Sequence, residues 1–234
     1  IEFTLIKRLM LKKKLLKRYE RKWVLNNIDC NQVFILLFRS NFCFLNQYED
    51  RYVNSIYFDD QNFSSIKQNI DGISEKKKYR LRWYGDLNKI SNPVFEIKNK
   101  NSFEVSKENI DLSIIHGFNL FDINDLKKIE ELINNKFNFK NKILPILTTH
   151  YLRSYFVSSN KLIRATVDRD LKSIKLYQNK NTSIINQFND IILELKYDLD
   201  LDDYVRSNFN NFSFRLSKNS KFINSATVTP NSLS

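Results

Sequence analysis

The sequence predicts an α+β fold in which about eight short, mostly antiparallel strands close, or nearly close, into a β-barrel with helices between them. Three observations lead there. Runs rich in β-branched and aromatic residues, bounded by polar turns, outnumber helical runs. Six of these runs alternate charged with apolar residues, so each presents a charged face and an apolar face. The charged faces are dominated by Arg and Lys with isolated Glu, where a solvated sheet mixes signs and neutral polar groups.

Strands are expected over residues 17–25, 51–58, 78–84, 93–100, 145–156, 161–168, 172–177 and 191–197, with 213–217 as a further candidate. A Ser-Ser-Asn turn joins 145–156 to 161–168 as a hairpin. Helices are fewer. Asp29 is placed to cap a helix over 31–38, and 61–70 suits another. The clearest is 124–137, where Leu126, Ile129, Ile133 and Phe137 recur at helical spacing behind a cap at Asp122 or Asn124. Shorter helices are expected over 202–210 and 218–225. The domain is expected to span 17–225, between a basic extension over 1–16 that carries Lys12–Lys14 and a tail over 226–234. Met10 is the candidate native start.

The strand faces are specific. Arg18, Glu20 and Lys22 oppose Tyr19 and Trp23. Arg80 and Arg82 oppose Tyr79, Leu81 and Trp83, and Glu96, Lys98 and Lys100 oppose Phe95 and Ile97. Tyr151, Arg153 and Tyr155 oppose Leu152 and Phe156. Arg164, Thr166 and Asp168 oppose Ile163, Ala165 and Val167, while Glu194 and Lys196 oppose Leu193 and Leu195. Any one strand alone reads most simply as a half-exposed sheet with its polar side in water. Taken together, the helices need apolar surface to pack on. If they take the apolar faces, the charged faces turn inward to a lumen. Unit charges about 4 Å apart interact by roughly 4 kcal/mol at an effective dielectric near 20. A lumen of Arg and Lys therefore requires water, counter-ions or a polyanion.

Composition narrows the chemistry. The 234 residues carry a formal net charge of +12, which favours a polyanionic partner. The three glycines, Gly72, Gly85 and Gly117, fall in no phosphate-cradling loop, so any grip on phosphate is by side chains. His116 and His150 are too few for a His-rich metal centre. Cys30 and Cys43 lack zinc spacing and, lying beside apolar residues, read as reduced core residues. Any metal is then held by oxygen donors, as Mg²⁺ or Mn²⁺. The longest apolar run, 33–38, is far short of a bilayer span.

Eight runs occur in a telling order: R-Y-E-R-K at 18–22, S-I-Y-F-D at 55–59, Y-R-L-R at 79–82, F-E-I-K at 95–98, Y-L-R at 151–153, R-A-T-V-D at 164–168, L-E-L-K at 193–196 and K-N-S-K-F at 218–222. Together they resemble the VTC domain, the polyphosphate polymerase branch of the triphosphate tunnel metalloenzymes. The resemblance covers roughly residues 17–225. It implies a closed antiparallel eight-stranded β-tunnel with external helices, and transfer of the γ-phosphate of ATP to a growing polyphosphate chain with Mn²⁺ or Mg²⁺. It implies Lys22, Arg80, Arg82, Lys98, Arg153 and Arg164 as catalytic phosphate ligands. Tyr151, Lys196, Lys218, Ser220, Lys221 and Lys107 become substrate-binding residues, and Glu194 and Glu20 metal ligands. The wider superfamily begins with E-x-E-x-K; here Arg18 stands at the first acidic place.

The expected partners are ATP and polyphosphate, with no nucleic acid, because the aromatics fall mostly on apolar faces. The expected setting is the cytoplasm, alone or docked to a membrane partner. Two rivals stay open: a triphosphatase that uses water as acceptor at the same site, and a non-catalytic binding module for polyphosphate or inositol phosphates.

Overall fold

The computed structural model describes residues 18–100, 105–137, 139–176, 185–209, 216–217 and 220–227. Its strands are β1 (Arg18–Leu25), β2 (Leu45–Asp60), β3 (Lys76–Tyr84), β4 (Val94–Lys100), β5 (Val105–Asp111), β6 (Ile143–Val157), β7 (Arg164–Lys175), β8 (Ile185–Phe188) and β9 (Ile191–Asp198). Its helices are α1 (Cys30–Arg39), α2 (Ser64–Ile70), α3 (Ile123–Phe137), α4 (Asp202–Asn208) and α5 (Lys221–Thr227). The strands pair in the order β1-β9-β7-β6-β2-β3-β4-β5, with β8 on β7. The pairs β1–β9, β2–β3, β3–β4, β4–β5 and β7–β8 are antiparallel. An antiparallel sheet with helices, as expected, is therefore the architecture.

The chain divides into two compact units. The first comprises Ile1–Glu49, Ser154–Val167 and Ile191–Lys218; the second comprises Asp50–Arg153, Asp168–Asp190 and Asn219–Ser234.

In the first unit, Trp23 and Leu25 of β1, Leu193 and Leu195 of β9, and Ile163, Ala165 and Val167 around β7 form one buried cluster with Val33 and Leu37 of α1. That helix starts where the sequence places it. Asp29 accepts from the Asn31 N–H at 2.7 Å, and the Gln32 side chain accepts from the Asp29 N–H at 3.1 Å. This capping box satisfies donors that the first turn leaves open, an arrangement worth about 1 kcal/mol.

In the second unit, Ile56, Phe58, Leu81, Trp83, Phe95 and Ile97 join Ile129 and Ile133 of α3 in another core. The helical spacing of Leu126, Ile129, Ile133 and Phe137 is thus the packing stripe of α3. Each of its two fully buried side chains contributes on the order of 2 kcal/mol by burial. Here the apolar sheet face lies under a helix, which leaves Arg80, Arg82 and Glu96 on the other side.

Several expectations are corrected. Nine strands are described rather than about eight. The expected strands 161–168 and 172–177 form one strand, β7, whose Asp170 sits at φ 55°. Asp tolerates that left-handed conformation better than most residues, so the strand passes through a dipeptide that reads as a turn. Tyr177 lies outside the described residues. The helix expected over 61–70 begins only at Ser64. Asp60 accepts from the N–H groups of Asn62 and Ser64, and Asp59 from those of Ser65 and Ile66, which fixes the start. The helix expected over 218–225 runs Lys221–Thr227, and residues 213–215 of the last candidate strand lie outside the described residues. Cys43 is exposed, at φ 46° in the turn after α1, and Cys30 is half-buried, so the pair are not both core residues. Among the described residues no helix is long and apolar enough to cross a membrane.

Candidate functional site

Three charged clusters arise from the strand alternation, two in the second unit and one in the first. In the second unit the register sets Arg80 opposite Glu96 across β3 and β4. The Glu96 side chain is only 3% exposed. Its Oε2 accepts from Arg80 Nε at 2.8 Å and also from Arg80 Nη2. Its Oε1 pairs with Arg82 Nη2 at 2.5 Å and accepts from Lys107 Nζ at 3.0 Å. Burial alone would push the Glu96 carboxyl up. Arg80 and Arg82 outweigh it and hold the group at about 2. Arg80 is in turn held fully charged against its own burial by Tyr57, Glu96 and Tyr151.

The same register lines up three lysines. Lys78 on β3 is paired with Lys98 on β4, which is paired with Lys107 on β5. Like charges directly opposite across strands are destabilising. Burial and the neighbouring guanidinium groups together depress the Lys107 amine, against the pull of Glu96. The face of β3–β5 thus gathers Lys78, Arg80, Arg82, Lys98 and Lys107 around one carboxylate.

A second carboxylate anchors the carboxyl-terminal helix in this unit. Asp168, 1% exposed, accepts from Arg153 through a two-bond fork, Nε to Oδ1 at 2.5 Å and Nη2 to Oδ2 at 2.7 Å. Lys221 at the start of α5 donates to Oδ2 at 2.5 Å. Burial opposes this charge, but Arg153 and Lys221 keep the acid below its ordinary range. Both cations lie over the Tyr151 ring, with Lys221 Nζ 4.6 Å and Arg153 Cζ 5.3 Å from its centroid. Its burial pushes the phenol up, so it stays protonated. Lys78 Nζ donates to Ser220 Oγ at 2.9 Å, and Phe222 stacks on Tyr57 at 4.8 Å. The start of α5 is therefore fastened to the charged face by Ser220, Lys221 and Phe222.

In the first unit, β1 and β9 form a checkerboard in which Glu20 faces Lys196 and Lys22 faces Glu194. Lys22 Nζ lies 2.5 Å from Glu20 Oε1 and 3.1 Å from Glu194 Oε2, and Lys196 pairs with Glu194. Desolvation works against the Lys22 charge, yet Glu194 and Glu20 push its affinity for the proton up. Arg164 is exposed on β7 of this unit.

The alternation read from the sequence accordingly brings Arg80, Arg82, Lys98 and Lys107 together, joins Arg153 with Tyr151 and Lys221, and groups Glu20, Lys22, Glu194 and Lys196. Lys218 lies outside the described residues. Three residues emerge that the sequence reading leaves out of the site: Glu96, Asp168 and Lys78. The first two fall on charged faces by simple alternation, and Lys78 sits two residues before Arg80, so period two was the signal that marks all three. Aromatics are also less confined to apolar faces than expected, since Tyr57, Tyr84 and Phe222 stand on the charged side.

Among the described residues no group of three or more His, Cys, Asp or Glu side chains forms a metal cluster. Glu20 and Glu194 nonetheless converge on one ammonium, Lys22, and supply hard oxygen donors of the kind that Mn²⁺ or Mg²⁺ takes. In donor chemistry the pair fits such an ion, with its other ligands coming from phosphate or water.

The fold is an antiparallel sheet with helices that carries a carboxylate-braced cationic face, and the model of the VTC domain matches residues 9–229. The chain belongs to that family. It is 26% identical over 156 residues to vacuolar transporter chaperone complex subunit 2 of Saccharomyces cerevisiae, an alignment covering 54% of this chain and 19% of the yeast protein. The match therefore spans less than a fifth of that relative. Three solved structures also align: a Hippeastrum protein described as an adenylyl cyclase with a dominant triphosphatase activity (12% identity, TM-score 0.46, 90% and 97% of the two chains), and proteins assigned as adenylate cyclases from Vibrio parahaemolyticus (12%, 0.49, 89% and 97%) and Bacillus halodurans (13%, 0.46, 86% and 92%).

Proposed function

We propose that this chain is a polyphosphate polymerase that moves the γ-phosphate of ATP onto a growing polyphosphate chain, within the closed tunnel that its family resemblance implies. The domain doing so spans residues 17–225. The observation that carries the phosphate half of this reading is the row Lys78–Lys98–Lys107 beside Arg80 and Arg82. Lysines facing one another across strands repel, and an anion along the row relieves that repulsion further than Glu96 does at Lys107 alone. A phosphate chain has one negative charge per link and suits a row of regularly spaced cations.

In this mechanism Arg80 and Arg82 turn from Glu96 to fork the phosphoryl oxygens, and Lys78, Lys98 and Lys107 line the chain. Lys22, Arg153, Arg164, Lys196, Lys218, Ser220, Lys221 and Tyr151 complete the proposed ligand set. Glu20 and Glu194 would hold Mn²⁺ or Mg²⁺, which when bound neutralises phosphoryl oxygens. Positioning and charge suffice for phosphoryl transfer, so no protein nucleophile is needed. The proposed setting is the cytoplasm, with docking to a membrane partner as in a larger assembly.

A second reading is favoured by one observation: Lys22 and Lys196 already occupy the oxygens of Glu194. That arrangement suits a non-catalytic module for polyphosphate or inositol phosphates. Incubation with ATP and Mn²⁺, with products resolved on a gel, separates the cases. A ladder of polyphosphate is expected. Orthophosphate alone would replace the polymerase with a triphosphatase, and binding without turnover would leave the module.

A further inference from the structure

On β3 of the second unit the charged face runs Lys78, Arg80, Arg82 and then Tyr84, each two residues from the last and so about 6.8 Å further along. Three cations in a line thus end in an aromatic ring. We propose that Tyr84 is a stacking platform for the base of a nucleoside triphosphate whose phosphates lie on Arg82, Arg80 and Lys78. The inference rests on the phosphate reading of this face, and adds to it a base-binding residue and a direction.

Three features support it. Tyr84 is 40% exposed, although its neighbours Leu81 and Trp83 are fully buried. Its ring is engaged by Arg82, whose Cζ lies 5.5 Å from the centroid while the same guanidinium pairs with Glu96. The guanidinium thereby couples the ring to the cationic row. The backbone around the ring is held firmly. Gly85 N–H donates to the Tyr52 carbonyl at 3.0 Å, Asn54 Nδ2 donates to the carbonyls of Gly85 and Asp86, and Trp83 Nε1 donates to the Asp86 carbonyl at 2.8 Å. An exposed ring on a braced strand end loses little freedom on stacking, and every base offers a π-face.

The arrangement also orders the nucleotide. The base sits at the Tyr84 end, and the terminal phosphate points towards Lys78, where Ser220 and the start of α5 are fastened. Stacking is tolerant of base identity, so ATP and GTP bind alike, and both bind better than bare tripolyphosphate.

Calorimetric titration of the wild-type chain, Y84A and Y84W with ATP and with tripolyphosphate tests this. Y84A is expected to weaken ATP by at least about fivefold, the lower end for base stacking. Its tripolyphosphate affinity should stay within about twofold, and Y84W should keep ATP binding. Equal losses for both ligands in Y84A, or no loss for either, overturn the platform and leave the phosphate face standing. A wild-type chain that binds neither ligand overturns both.

Discussion

Glu96 lies opposite Arg80 across two strands and accepts from it twice, while also holding Arg82 and Lys107. One carboxylate therefore braces three cations that would otherwise repel. Continuum reasoning assigns several kcal/mol to breaking such a buried arrangement from one side.

The variant E96Q should lose about 3 kcal/mol of stability, because three cations are left without their shared acceptor. Tripolyphosphate should restore more of the melting temperature in E96Q than it adds to the wild type, since it no longer competes with the carboxylate. Thermal unfolding with and without the ligand checks this. Equal ligand-induced shifts in the two proteins would contradict it.

The pH response follows from the same group. Glu96 has an ordinary value of 4.5 and a folded value of about 2. Its contribution is fully present above about pH 4.5 and is lost as pH falls towards 2, roughly 3 kcal/mol in total. Asp168, also held low, adds to the loss in the same direction. Urea unfolding between pH 6 and pH 2 should show this slope, and E96Q should flatten it.

Arg80 should not tolerate lysine. Its two bonds to Glu96 use the guanidinium fork, which a single ammonium cannot reproduce. R80K is expected to weaken tripolyphosphate by about tenfold, an interaction of the charge-assisted class. Titration at two salt concentrations separates lost geometry from lost charge, because R80K keeps the charge and so should keep the salt slope.

Phe222 is the apolar anchor of α5, 2% exposed and stacked on Tyr57. F222A should cost about 3 kcal/mol locally and detach the helix before the sheet unfolds. Hydrogen exchange should show loss of protection at 221–227 with β3 and β4 unchanged. Protection retained along α5 would mean that the Lys221–Asp168 pair alone holds it.

E194Q separates enzyme from module. If Glu194 serves a metal, the variant should lose at least about a hundredfold in Mn²⁺-dependent transfer, the scale on which lost electrostatic stabilisation acts, while metal-free tripolyphosphate affinity barely changes. Parallel loss of both would assign Glu194 to bracing Lys22 and Lys196.

Much of this was legible because period two is so regular here. Lys78, Arg80 and Arg82 alternating with Tyr79, Leu81 and Trp83 gives away both faces of β3, and the stripe on α3 gives away what covers one of them. β5 escaped because its sequence, V-S-K-E-N-I-D, has no apolar alternation; its strand state comes from pairing with β4, a tertiary effect. β8 is four residues long and pairs with β7. Within the site, alternation predicts which side chains share a face but not which will bond. That Glu96 reaches Arg82 and Lys107 diagonally as well as Arg80 directly depends on register and side-chain reach. Alternation places Asp168 on a charged face but not its bond to Lys221, which is 53 residues away in sequence.

If the face binds phosphate as proposed, the brace at Glu96 also sets a threshold for what it accepts. An incoming anion must offer the guanidinium groups more than a carboxylate already in place with ideal contacts. A single orthophosphate replaces one acceptor with another and gains little. A chain of linked phosphates touches Arg82, Arg80 and the lysine row at once, and ordering its first link lowers the entropic cost of the next. On the proposed function, length would thereby become the quantity that the site discriminates, and the carboxylate that looks like an opponent of binding would make it a ruler.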